Sequence, residues 1–290
     1  MTVRECVVYK MTSSNLQVLS LGAGVQSSAL LLMSCKGLLP KLDVAIFADV
    51  GWEPPAVYQQ LEFLKVEGEK SGIPVVTVSE GNLKEDYLRG IKTNTRASSI
   101  PLFTKAKEGS KNEGRLWRQC TFDYKIKPVH KYIRQELLGL RPRQHAPKTC
   151  VVDQWMGISY DEISRVKDSK HKFMQHIFPL VNIPTQMLDK DWRREDCIKW
   201  LEDNYNIDPP RSACIGCPYH SNEEWRHIKA DPELWADAVE FDNQIRHQPK
   251  LKNEAYVHRK CLPLDQIDLA DPKDPNLFGW DEHCDGLCGT

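Results

Sequence analysis

No apolar run in this chain of 290 residues approaches the roughly 20 that a membrane-spanning helix needs. The opening Met1-Thr2-Val3-Arg4-Glu5-Cys6 also lacks the charged-then-apolar layout of a secretory signal, so the expected setting is the cytoplasm. Net charge is nearly missing, at −1, and gives no bulk argument for a polyanionic or polycationic partner. Cysteine, by contrast, is plentiful: ten residues, which a reducing compartment would keep as thiols. Metal or redox chemistry is the first explanation to test for so many. An apolar content of 41% supports one large α/β domain, alone or with a smaller appendage.

The near-zero charge hides an uneven distribution. Residues 111–150 hold ten Lys/Arg against three acids, a local +7, and residues 261–290 hold seven acids against one lysine, a local −6. Anionic ligands should favour the middle of the chain.

The most informative stretch is 18–33, an apolar strand that runs through Gly22-Ala23-Gly24 into a helix expected from about Ser27. Small residues let backbone N–H groups approach an anion, Ser20, Ser27 and Ser28 add hydroxyls, and the helix start offers its dipole. Two phosphate loops are excluded. No third glycine completes Gly-x-Gly-x-x-Gly, and no lysine completes Gly-x-x-x-x-Gly-Lys-Ser/Thr. An ordinary tight turn is the plain alternative.

Strand 43–48 follows, then Asp49-Val50-Gly51-Trp52-Glu53-Pro54-Pro55, a turn at the carboxyl end of a strand, where ligands of open parallel sheets bind. Asp49 has a simpler reading as a turn-stabilising acid. A helix over 56–71 and a strand over 74–78 complete this half. Residues 80–117 read as a long loop, a candidate lid, with helix expected only over 83–91. Further on, the pattern predicts a basic helix over 129–138, a strand before Gly157, a short helix carrying Arg165, a linker at 178–180, an amphipathic helix over 191–201, and a helical cap over 222–246. Trp192, Trp200, Leu201, Trp225, Trp235 and Phe241 are its expected packing residues, with Cys197 a buried hydrophobe. Arg165 is a candidate oxyanion ligand through bidentate guanidinium geometry, or half of an ion pair with Asp161 or Glu162.

Three places concentrate the thiol chemistry. Cys120 lies among Arg118, Lys125 and Lys127, a setting that favours thiolate. Cys214-Ile215-Gly216-Cys217 is a Cys-x-x-Cys turn able to aim two thiolates at one centre. The chain closes on Glu282-His283-Cys284-Asp285-Gly286-Leu287-Cys288-Gly289-Thr290, an acidic stretch with two cysteines. Zinc held by Cys120, Cys214, Cys217 and either His220 or Cys150 is chemically reasonable, as is a redox dithiol.

Taken in order, these motifs resemble the PP-loop adenine-nucleotide hydrolase superfamily, in particular its phosphoadenosine phosphosulfate (PAPS) reductase-like family. Gly24-Val25-Gln26-Ser27 is similar to the family's Ser-Phe-Gly-x-Gln loop, with Gln26 where ATP-pyrophosphatase relatives carry aspartate. Asp49 and Gly51 match its Asp-Thr-Gly. The segment Cys120-Thr121-Phe122-Asp123-Tyr124-Lys125-Ile126-Lys127-Pro128 matches the Cys-Thr-x-x-x-Lys-Ile-x-Pro of sulfur-inserting relatives, such as the enzyme of DNA phosphorothioation. Iron–sulfur reductases have a second cysteine at the position of Thr121.

The resemblance implies a parallel-sheet α/β PP-loop domain over 16–205, preceded by an arm over 1–15. A mainly helical cysteine-containing region with an acidic tail follows over 206–290. It implies an adenine nucleotide, ATP or PAPS, held by Ser20, Gly22, Ala23, Gly24, Gln26, Ser27, Ser28, Asp49, Gly51, Gly157 and Arg165, with Lys125 acting on phosphate. It also implies a 4Fe-4S cluster on Cys120, Cys214 and Cys217, with one iron left without a protein thiolate. The expected enzyme adenylates an acceptor and then transfers sulfur; nucleic acid bound through 111–150 is a candidate acceptor, and a thioredoxin-like or persulfide protein a candidate donor. The competing expectations are a sulfonucleotide reductase that releases sulfite through Cys284 or Cys288, and a zinc-stapled binding module without catalysis.

Overall fold

The computed structural model describes residues 15–105 and 114–270. Its centre is an all-parallel five-stranded sheet. The first half is β1 (Leu16–Leu21), α1 (Val25–Cys35), β2 (Val44–Asp49), α2 (Pro55–Lys70) and β3 (Val75–Ser79). After α3 (Leu83–Thr93) come two short strands, β4 (Phe103–Lys105) and β5 (Gly114–Arg115). A helical stretch over 122–137 follows, which is α-helical only in its middle, α4 (Lys127–Tyr132), and π-wound over Phe122–Ile126 and Ile133–Leu137. Then come β6 (Val152–Trp155), a 3₁₀ turn at Tyr160–Arg165, β7 (Met174–Ile177), α5 (Arg194–Tyr205), α6 (Asn222–Ala230), α7 (Pro232–Gln244) and β8 (Glu254–Tyr256).

Period-two alternation sorts the sheet's side chains to its two faces. Leu19, Leu21, Ala45, Phe47, Trp155 and Ile177 pack with α1, α2 and α5, and Val18, Val44, Ile46 and Val152 pack with Val129 and Ile133 of the helical stretch. Such two-sided burial is what lets parallel strands read as nearly continuous apolar runs. From the central β1 the chain winds outward through β2 to β3, then returns to the other side of β1 through β6 and β7. The crevice outside the carboxyl ends of β1 and β6 is therefore the topological switch point, the place where doubly wound sheets bind ligands.

The structure corrects several expectations. α1 begins at Val25, not Ser27, because Gly24 is already extended and its carbonyl accepts the Ser28 N–H. The supposed lid over 80–117 contains α3 and two strands that pair, through β4, with β8 near residue 255 in a small antiparallel sheet. Ile100, Leu102 and Phe103 are buried there, a role set by a partner some 150 residues distant. The segment at 178–180 is no linker: Phe178 and Leu180 are buried. Strand β7 was unanticipated, since Met174-Gln175-His176-Ile177 is short and half polar. Trp192, Trp200 and Trp235 are only partly buried, although Trp225, Phe241, Leu201 and Cys197 lie fully inside. Among the described residues no helix is long and apolar enough to cross a membrane.

Candidate functional site

The carboxyl edge of the sheet carries two structures. The first is the loop from β1 into α1. Ala23 takes φ +57°, a left-handed conformation that favours glycine. Gly24 caps α1 without any side-chain bond, and no acid occupies the helix's first turn. Ser27 closes the loop by accepting the Gly22 N–H at 3.1 Å. From across the switch point comes Gly157, where a β-carbon would stand 3.0 Å from the Ser27 nitrogen and 3.3 Å from the Gln26 carbonyl carbon. The post-β6 backbone thus lies against the start of α1, closer than a β-carbon ordinarily comes to backbone.

Beneath the loop is a buried polar network. Gln26 Nε2 donates to Ser159 Oγ and Glu162 Oε2, both at 3.4 Å, while its Oε1 accepts from Arg194 Nη1 at 3.1 Å. Arg165 Nη1 donates to Glu162 Oε1 at 2.7 Å. This is the Arg165–Glu162 pair foreseen as an alternative, but it is buried and reaches Gln26 through the shared carboxylate. Ser20 accepts from Gln154 Nε2 at 2.6 Å, which leaves its own O–H as a donor. On the other side of Gln154 stands His130, whose imidazole is pushed down to about 4 by burial and by the neighbouring His171 and His176. Gln154 and Arg194 were missed, and Glu162 was expected only as a surface partner of Arg165. Adjacent polar residues, Asp153 and Gln154, inside an otherwise apolar strand were the available signal for one of them.

Ser28 is turned to α2, where Gln60 Nε2 donates to it at 3.4 Å, rather than to the loop. Asp49 and Gly51 form the next turn along the edge. The Asp49 carboxylate accepts from the Gly51 N–H at 2.7 Å and the Tyr58 hydroxyl at 2.9 Å, so Asp49 acts in this structure as the turn acid. Burial, then Asp49, pushes the Tyr58 phenol above its ordinary range. Gly51 has φ +70° and lies against Asn82, whose side-chain amide donates to its carbonyl at 2.7 Å.

The second structure is a cleft. It is walled by Val50, Trp52, Leu83, Ile100 and Pro101, and it draws Cys120, Cys214 and Cys217 into one lining with Arg118, Thr121, Lys125 and Tyr219. Residues nearly 100 positions apart are brought together here. Lys125 donates to Glu53 Oε1 at 3.1 Å, and both side chains are buried. The lysine expected at the nucleotide phosphate thus sits in the cleft wall with a carboxylate partner. Thr121 accepts from Arg118 Nε at 2.9 Å, and the Arg115 and Arg118 guanidiniums both lie over the Tyr219 ring, at 5.3 and 5.2 Å.

The Cys-x-x-Cys turn is closed by the Cys217 N–H on the Cys214 carbonyl at 3.0 Å, and the Ile215 N–H holds it to the Trp52 carbonyl at 3.0 Å. Gly216 packs directly on Trp52.

As donors, three thiols around one cleft fit a cysteine-ligated iron–sulfur cluster, whose ligands bind different irons. Among the described residues no group of three or more His, Cys, Asp or Glu side chains is already gathered closely enough to hold a metal ion. Of the two further zinc ligands considered, His220 lies at the turn and Cys150 lies elsewhere. His220 Nε2 is within 2.9 Å of the Cys214 carbonyl oxygen, the kind of bond that also orients a metal-ligating imidazole. Cys150 stands at the opposite, amino edge of the sheet, just before β6, with Asn15 Nδ2 at 3.6 Å from its sulfur. Cys284 and Cys288 lie outside the described residues.

No protein-family model matches the chain, and no curated protein matches it.

Proposed function

We propose that the chain is a PP-loop enzyme of the PAPS-reductase-like kind, which binds an adenine nucleotide at the β1–α1 loop and performs sulfur chemistry at the cysteine cleft. One observation carries the reading: the cleft that gathers Cys120, Cys214 and Cys217 opens on the same sheet edge as the uncapped start of α1. Backbone N–H groups of the loop and the Ser20 hydroxyl would receive phosphate oxygens, while Gln26 is held rigid by Arg194 and Glu162. The preferred reaction is adenylation of an acceptor followed by sulfur transfer. A 4Fe-4S cluster held by the three cysteines would supply an iron open to sulfur. Thr121 is occupied with Arg118 beside it.

A nucleic-acid acceptor is supported by the rim. Trp117 is 86% exposed and Phe122 57%, flanking Cys120 in sequence, and the Arg115 and Arg118 guanidiniums lie over Tyr219 of the cleft lining. Exposed aromatics beside guanidiniums suit stacked bases and phosphates. Residues 111–113 of the basic stretch fall outside the described part.

The test is anaerobic purification with iron, sulfide and zinc quantified beside the visible spectrum, then incubation with ATP and with PAPS. About four irons and four sulfides per chain, lost together in Cys214→Ala, are expected. AMP-linked chemistry from ATP supports transfer, whereas sulfite from PAPS makes the protein a sulfonucleotide reductase. One zinc and no chromophore would leave a binding module.

A further inference from the structure

We infer that Ser212 completes the anion site at the start of α1 by donating its hydroxyl to a phosphate or sulfate oxygen of the bound nucleotide, an inference that rests on the nucleotide reading above. The residue lies in a strap, 210–217, that precedes and includes the Cys-x-x-Cys turn. Its side chain stands over Gly24: a β-carbon on that glycine would be 3.6 Å from Ser212 Cβ and 3.7 Å from its nitrogen. Ser212 is only 2% exposed, and its Oγ is buried with no hydrogen-bond partner. A buried hydroxyl left unpaired costs about 1–3 kcal/mol, so a serine here is unfavourable in the empty protein. The strap holds it there through other contacts, the Arg211–Glu224 ion pair on one side and the Ile215–Trp52 backbone bond on the other.

The residue packs against a helix start that lacks an acceptor of its own. α1 is 11 residues long, its cap is a glycine, and its first turn carries no carboxylate. The N–H groups of a helix start and a neighbouring unpaired O–H can all donate, and the ligand that accepts from all of them is an oxyanion. Two residues beyond Ser212 the same strap delivers Cys214 to the cleft.

Calorimetric titration of the full-length chain and of Ser212→Ala with ATP, PAPS, pyrophosphate and adenosine tests this, beside ligand-free unfolding in urea. In the variant, affinity for ATP or PAPS should fall roughly 10- to 100-fold while adenosine binding holds. Whether ATP, PAPS or pyrophosphate suffers most identifies the oxyanion. The ligand-free variant should be as stable as the parent or more so, a direction opposite to that of a merely structural serine. Ser212→Thr, which keeps the hydroxyl, should retain affinity, and Ser212→Gly repeats the test if the alanine variant does not fold. Equal nucleotide affinity in parent and variant, or parallel loss of nucleotide and adenosine, would overturn the inference with the nucleotide reading intact. A parent that binds no adenine nucleotide would overturn both.

Discussion

The β1–α1 loop and the cysteine cleft share one edge of the sheet and are built by opposite means. The loop is contiguous in sequence and rests on buried polar side chains, with Gln26, Ser159, Glu162 and Arg165 all nearly inaccessible. The cleft is assembled from five separate stretches of chain, and its walls are mostly apolar. Binding an anion needs fixed donors, which a short turn and a helix start supply locally. Holding a soft sulfur centre needs thiols from distant places and shelter from water, which only tertiary packing supplies. The loop should therefore respond to changes in polarity, and the cleft to changes in packing and in its buried Lys125–Glu53 pair.

The largest effect expected comes from breaking that pair. Lys125→Met leaves the Glu53 carboxylate buried opposite a hydrocarbon, with an expected loss of about 3–5 kcal/mol in urea unfolding. Adding Glu53→Leu should restore most of it, since two apolar groups pack where two charges stood. A loss below about 1 kcal/mol in the single variant would mean that water reaches the pair, and that the cleft is less sheltered than its walls imply.

Acid should act next, and from the loop side. His130 titrates at about 4 because burial, His171, His176 and Arg134 all oppose its charge, against a weaker favourable bond to Gln154. The unfolded chain, with an ordinary imidazole near 6.5, binds the proton first. Stability is then fully present above about pH 6.5, falls as pH drops toward 4, and levels off below, for a total of about 3 kcal/mol. His171 and His176 are also held below their ordinary values by burial and steepen the fall. Denaturation midpoints of the parent and His130→Gln at pH 7, 5.5 and 4.5 measure the share of His130. An unchanged pH slope in the variant would assign the whole effect to the other two.

The same contrast explains what the sequence discloses. The parallel βαβ half, the Gly/Ser loop and the Cys-x-x-Cys turn are local patterns, and each is visible as glycines, small residues and apolar runs within about 15 residues. The switch-point position of Gly157 follows once strands β1 and β6 are recognised, because adjacent parallel strands put their exit loops side by side. Strand β4 is defined by β8, and the Lys125–Glu53 pair by a meeting across 72 positions; nothing local marks either. Asp49 and Ser28 are the converse case. Their residue types suit a phosphate site, yet in this structure Tyr58 and Gln60 hold them as parts of a turn and a helix interface. A polar side chain near a ligand loop is informative only when its other partners are known.

The smallest effect sets one glycine of each structure side by side. Neither Gly24 nor Gly216 has a positive φ, so both answer to space alone. At Gly24 a β-carbon meets nothing nearer than 3.6 Å, an ordinary contact, and alanine should cost less than about 1 kcal/mol, mainly as a poorer helix cap. At Gly216 it would fall 2.3 Å from Trp52 Cη2 and 3.2 Å from Phe241 Cδ1. Trp52 is itself fixed by its indole N–H on Asp237 at 2.6 Å and by the edge of Phe241, so it yields little. Gly216→Ala should therefore cost about 1–3 kcal/mol in urea unfolding and shift the Trp52 fluorescence. Because the turn carries both Cys214 and Cys217, two ligands of the proposed cluster, it should also lower the iron that this cluster would hold. Gly24→Ala should leave iron content unchanged and act, if anywhere, on nucleotide affinity, since the added methyl sits over the donors of α1. Similar costs at the two glycines would mean that the loop is packed as tightly as the cleft, and the division between a polar, locally built site and an apolar, assembled one would fail.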